Sequence, residues 1–126
     1  MLYESKDRVP VDCPYFNQCG GCVYRHIAYE EELKIKQQRV EDAIKRIGGV
    51  DMAAKPILSD NKSEGYRNKA QYPVAEDGSV GFFANHSHRI IPSDTCALQP
   101  KEFTLICEVF KFWMKTSGNK PYSEET

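Results

Sequence analysis

The sequence has no long apolar run. Nothing in it approaches the roughly 20 consecutive apolar residues that a membrane-spanning helix needs. Its opening, Met1-Leu2-Tyr3-Glu4-Ser5-Lys6-Asp7-Arg8, is charged where a secretory signal would be apolar. It also lacks an excess of charge of either sign. Seventeen basic residues stand against 18 acidic ones, a net charge of −1, so no global field gathers a polyanion. Any binding of nucleic acid must then rest on a local patch or on other domains. There are no internal repeats, no low-complexity segments and no Gly-rich loop following a strand, the usual sign of a nucleotide-binding fold. What remains is a chain of 126 residues, 40% hydrophobic and 28% charged, which is the profile of one globular domain. A cytoplasmic protein without membrane attachment is expected, and in that compartment thiols stay reduced.

Five cysteines are present, an odd number that suits four ligands and one bystander. Cys13, Cys19 and Cys22 are spaced C-x5-C-x2-C within CPYFNQCGGCVYRH, and Cys96 lies far downstream in SDTCALQP. Gly20 and Gly21 give the backbone freedom for a tight wrap in which amide N–H groups point at sulfur. Three close cysteines and one distant one match the way four thiolates hold an iron–sulfur cluster. Zinc is the rival, because Cys13, Cys19, Cys22 and His26 make a Cys3His set of acceptable spacing. A disulfide formed by oxidation is the third reading. Cys107 falls in an apolar helical stripe, where a free thiol behaves as a small hydrophobe.

The elements between these cysteines define an α+β fold. Tyr29 to Ile47 has helical periodicity at Leu33, Val40, Ile44 and Ile47, acids in its first turn, bases in its last, and Gly48-Gly49 beyond. Residues 55–58 suggest a short edge strand. YRNKAQYPVAE, residues 66–76, alternates with period two, placing Tyr66, Ala70, Tyr72 and Val74 opposite Arg67, Lys69 and Gln71. Asp77-Gly78 signals a hairpin, SVGFFAN its return strand, and His88 to Ile91 a further strand. Pro73 should leave its end of the strand frayed or at an edge. Residues 101–116 predict a second helix with Phe103, Ile106, Cys107, Phe110, Trp113 and Met114 as its core stripe. The expected architecture is an antiparallel β meander with two helices packed on one face and an N-terminal cysteine-rich loop.

With these residues in place the chain resembles a known family. CPYFNQCGGCVYRHIAYEEELKIKQ, YRNKAQYPV and GFFANHSHRIIPSDTCALQP, in this order, resemble bacterial RNA uracil-5-methyltransferases, which act on ribosomal and transfer RNA. The likeness covers nearly the whole chain. It implies a [4Fe-4S] cluster on Cys13, Cys19, Cys22 and Cys96, and so favours Cys96 over His26 as the fourth ligand. It also implies that this is the central part of a longer enzyme. Residues 1–28 would be the cluster-binding segment, 29–118 the α+β domain, and 119–126 a polar tail leading toward a methyltransferase domain. That domain would bind S-adenosylmethionine and supply the cysteine that adds to uracil C6 while C5 takes the methyl group. The target base must first be flipped out of its fold. None of those catalytic residues maps onto this sequence, so the chain alone is expected to be inactive and, by expectation, monomeric.

The RNA-facing candidates follow from strand alternation. Arg67, Lys69 and Gln71 would offer a polar face, bordered across the sheet by His86, His88 and Arg89, and Asn68 within the same segment is a further RNA-binding candidate. Phe82 or Phe83 would stack an unpaired base. The plainer alternative is a solvated sheet face carrying ordinary surface charge. A stand-alone iron–sulfur or zinc protein, acting as electron carrier or interaction module, is the competing function; balanced charge gives it no docking patch of one sign.

Overall fold

The computed structural model describes residues 3–123, so Met1 and Leu2 of the lead-in and the last three residues of the tail lie outside it. The chain is α+β, with two helices and a two-stranded antiparallel sheet. It divides into two compact units, Met1–Val11 with Tyr24–Asn61, and Asp12–Val23 with Lys62–Thr126.

The first unit is built on α1, Tyr29–Arg46. Glu30, Glu31 and Glu32 crowd its first turn and Lys45 and Arg46 its last, each sign set against the opposite end of the helix dipole. Ion pairs one turn apart, Lys34–Glu31 at 3.0 Å and Lys36–Glu32 at 2.5 Å, brace its exposed side. Tyr24 lies against it, its hydroxyl accepting from Arg39 at 2.8 Å and its ring beneath the Lys36 ammonium. No α1 residue is fully buried. Of its expected apolar stripe, Leu33 and Ile44 are half-buried, whereas Val40 and Ile47 are exposed. The 55–58 strand does not form; the Ile57 amide donates to the Gln37 side chain instead of to a ladder.

The second unit is organised by a hairpin of β1, Gly81–Phe83, and β2, Ile90–Pro92, in the register Gly81 to Pro92, Phe82 to Ile91, Phe83 to Ile90. The strands approach so closely at Gly81 that a Cβ there would lie 1.9 Å from the Ile91 carbonyl oxygen. Only glycine fits. Val80, Ala84, Ile91 and Leu98 form a small buried core with Cys107 of α2, Glu102–Ser117. Gly118, with φ of 72°, ends α2 in the left-handed conformation that favours glycine.

The meander is shorter than its sequence suggests. The turn at Asp77-Gly78 is present, with the Ala75 amide donating to Ser79 and the Asp77 carboxylate accepting from the Ser79 amide. Pairing then runs out after one bridge, Val74 to Val80. Pro73 offers a carbonyl to the Gly81 amide but has no N–H to return. Upstream, the Gly65 and Arg67 amides donate to the carbonyls of Ala97 and Leu98. Residues 66–76 are thus held by the loop after Cys96 rather than by a third strand.

Candidate metal centre and nucleic-acid interface

Four of the five thiols, Cys13, Cys19, Cys22 and Cys96, are half-buried and outside any disulfide, and all belong to the second unit. The cysteine loop is fastened to the hairpin. Cys19 bridges Ala84, the Gly20 amide donates to Phe83, and the Asn85 amide donates to Gln18. Inside the loop the Cys19 amide donates to the Tyr15 carbonyl at 2.7 Å, and the Gly21 amide points at the Cys19 sulfur at 3.3 Å. Such an N–H stabilises a thiolate. Cys96 opens the turn after β2; its carbonyl accepts from the Gln99 amide, while the Ser93 hydroxyl donates to Thr95. Among the described residues no three His, Cys, Asp or Glu side chains meet as a metal-holding group. His26, the alternative ligand, sits in the first unit, where its carbonyl accepts from Val9.

Two residues that sequence reasoning did not mark as functional stand beside Cys96. Tyr72 donates its hydroxyl to Gln99, contacts the Cys107 thiol and feels Cys96. Burial, and then the neighbouring Cys107, push the Tyr72 phenol up to about 12. Burial likewise raises the Cys107 thiol, which therefore stays neutral and inert. Gln99 is 5% exposed, and its Nε2 has no hydrogen-bond partner among the described residues. A buried orphan donor is costly unless an acceptor completes it. A set of reduced, half-buried thiols, with one amide on sulfur and a spare buried donor three residues from Cys96, suits a soft, anionic metal–sulfur group. The only signal for Gln99 in the sequence was its place after Cys96 in CALQP.

The proposed RNA-facing residues also lie in the second unit. Asn68, Lys69, Gln71, His86, His88 and Arg89 are exposed, while Arg67 is half-buried and Tyr66 is exposed, the reverse of the alternation expected for that pair. The two phenylalanines separate. Phe82 packs on Tyr72 at 5.0 Å between ring centroids, whereas Phe83 is 47% exposed and touches the His88 ring at 5.6 Å. Gln71, Tyr72, Pro73, Phe82 and Phe83 line an open cleft of about 500 Å³. His86 turns the hairpin with φ of 52°, a conformation that histidine tolerates better than most residues.

The hairpin thus carries the cysteine loop at Phe83 and Ala84, close in sequence to the exposed His86, His88 and Arg89. No protein-family model matches the chain. Sequence comparison places it beside RNA methyltransferases. It is 40% identical over 129 residues to a Halalkalibacterium halodurans protein named an uncharacterized RNA methyltransferase. Proteins of the same name from Clostridium tetani and Bacillus cereus are 34% and 37% identical. These alignments take in 97 to 99% of the chain. The similarity to proteins of that name runs along almost the whole chain. The chain spans only 27 to 28% of the length of these relatives.

Proposed function

We propose that the chain is the cluster-bearing, RNA-contacting part of an S-adenosylmethionine-dependent RNA (uracil-5-)-methyltransferase, with ribosomal RNA as substrate ahead of transfer RNA. The observation that carries this reading is the joining of the cysteine loop to the hairpin tip at Cys19 and Ala84, next to exposed Phe83, His88 and Arg89. In this reading Cys13, Cys19, Cys22 and Cys96 hold a [4Fe-4S] cluster, which supplies a covalent tie between two loops. Lys69, Arg67 and Arg89 hold phosphates, and Asn68, Gln71, His86 and His88 give polar contacts. Phe83 is the better stacking platform, because Phe82 is already occupied by Tyr72. S-adenosylmethionine and the attacking cysteine belong to the polypeptide outside residues 1–126. The 126 residues alone bind RNA weakly, in keeping with a net charge of −1.

The test uses the full-length protein with ribosomal and transfer RNA, scored for 5-methyluridine by nucleoside mass spectrometry. Arg67→Glu with Lys69→Glu should lower the efficiency of methyl transfer at least about tenfold, the scale of losing two phosphate contacts, with S-adenosylmethionine affinity retained. A methyl group on another base, or unchanged RNA kinetics in a folded double variant, would refute the respective half of the proposal.

A further inference from the structure

Gln99 lies three residues beyond Cys96, in a turn whose other polar groups find partners. Its amide N–H donates to the Cys96 carbonyl at 3.1 Å, and the Leu98 carbonyl accepts from Arg67. The Ser93 hydroxyl, on a buried residue, donates to Thr95. The Gln99 side chain is satisfied at one end only. Its Oε1 accepts from the Tyr72 hydroxyl, while its Nε2 is buried with no partner among the described residues. The residue is 5% exposed, so an RNA group cannot reach that nitrogen from outside. The same Tyr72 hydroxyl contacts the Cys107 thiol and is close enough to Cys96 to sense its charge. Oxygen and nitrogen of one amide share a carbon, which puts the unpaired N–H groups in the same small space as these thiols. On the α2 side Cys107 closes that space, whereas Ile106 and Trp113, expected from the sequence to lie in the core, are exposed. Cys107 leaves the donor unsatisfied, because a neutral thiol is a poor acceptor.

We propose that Gln99 Nε2 donates a hydrogen bond to anionic sulfur at Cys96, either its thiolate or a sulfide of the cluster, and that Tyr72 holds the amide for this role. The inference rests on the cluster reading above and adds to it a polar residue that is not a ligand. Buried donors are rarely left empty in native proteins, so an acceptor is owed at this nitrogen. Metal binding supplies one without opening the core, since a ligating cysteine is deprotonated and becomes a charged acceptor. The Tyr72 hydroxyl settles which end of the amide is free: its hydrogen goes to Oε1, and Nε2 is left for the sulfur. At the other end of the site the Gly21 amide already points at the Cys19 sulfur. Gln99 is the side-chain counterpart of that contact at the distant fourth cysteine. Hydrogen bonds to sulfur are among the features that set the electronic properties of such a cluster.

The experiment uses full-length protein prepared without oxygen and carrying nitrogen-15 in its glutamine side-chain amides. Iron is measured first, and the cluster is then reduced by cryogenic irradiation so that it becomes paramagnetic at any potential. Pulsed electron paramagnetic resonance should show a nitrogen-15 coupling to the cluster. Gln99→Met, a change to an apolar side chain of similar length, should keep its iron and lose that coupling. Its iron–sulfur stretching bands in resonance Raman should move to higher frequency, because no donor draws charge from the sulfur. The other glutamines of the second unit, Gln18 and Gln71, are exposed, so Gln18→Met and Gln71→Met should retain the coupling. Iron-loaded wild-type protein without a nitrogen-15 coupling overturns the proposal. A coupling that survives Gln99→Met, or that vanishes in Gln18→Met or Gln71→Met, does the same, as do unchanged stretching bands in iron-loaded Gln99→Met. Should Gln99→Met fail to fold, the wild-type protein and the two control variants still decide. Zinc in place of iron in the wild-type protein defeats the cluster reading itself, before any spectrum is taken, and this inference falls with it.

Discussion

Tyr72 shows how a single residue links the core to the cysteine site. Its ring packs on Phe82 and its hydroxyl reaches Gln99 and Cys107, so one side chain ties the arm at residues 66–76 to the turn after Cys96 and to α2. The sequence placed Tyr72 on the apolar side of its segment, which is correct, but periodicity says nothing about where a phenol oxygen ends. Gln99 was invisible for the same reason: a lone amide after a cysteine has no pattern. The phenol's displacement to about 12 has a consequence for stability. A proton that the folded state holds more tightly than the unfolded state stabilises the fold fully below the ordinary tyrosine value, near 10. That contribution is lost as pH climbs from there toward 12. Alkaline unfolding followed by circular dichroism should therefore steepen across this window in the wild-type protein. In Tyr72→Phe the steepening should be reduced, and an identical pH profile in the two proteins would show that the phenol is not coupled to folding.

At the scale of the element, both helices and the hairpin turn were legible because their signals are local: charge at helix ends, glycine after them, Asp-Gly in the turn. The strand at residues 66–76 was misjudged because alternation reports a half-buried surface, not a pairing partner. Ala70, Tyr72 and Val74 do turn inward, and Lys69 and Gln71 outward, yet the ladder stops at the Val74–Val80 bridge, where Pro73 has no N–H to give. Gly81 carries the opposite lesson. Nothing in SVGFFAN announced that its glycine is where two backbones meet, with 1.9 Å between a notional Cβ and the Ile91 oxygen. Gly81→Ala should force the strands apart at a cost of about 2 kcal/mol, within the range for overpacking. Hydrogen exchange gives a local reading. The amides of Ser93, bonded to Val80, and of Gly20, bonded to Phe83, should exchange faster in the variant, and the α1 amides should not. Unchanged protection at Ser93 would mean that the hairpin absorbs the methyl group by a shift elsewhere.

At the scale of the whole molecule, the question is what holds a unit whose buried apolar residues, among those described, are Val80, Ala84, Ile91, Leu98 and Cys107. So small a core leaves the cysteine loop and the turn at Cys96 dependent on a few backbone hydrogen bonds. The spacing of the cysteines was plain in the sequence, and the four candidate ligands lie in one unit. Among the described residues the thiols are not drawn together as a ligand set. A cluster joining Cys22 to Cys96 would close a long loop of the unfolded chain, worth on the order of 4 kcal/mol by the chain-entropy argument used for disulfides. Protein prepared without oxygen should be brown and carry about four irons and matching sulfide per chain. Cys22→Ser should lose both iron and colour, and its melting temperature should fall to that of wild-type protein stripped of iron by a chelator under oxidation. Cys107→Ser should keep its iron, because that thiol is buried against Tyr72 and held neutral. One zinc and no iron in the anaerobic preparation would replace the cluster with a structural zinc site. Iron retained in full by Cys22→Ser would remove Cys22 from the ligand set.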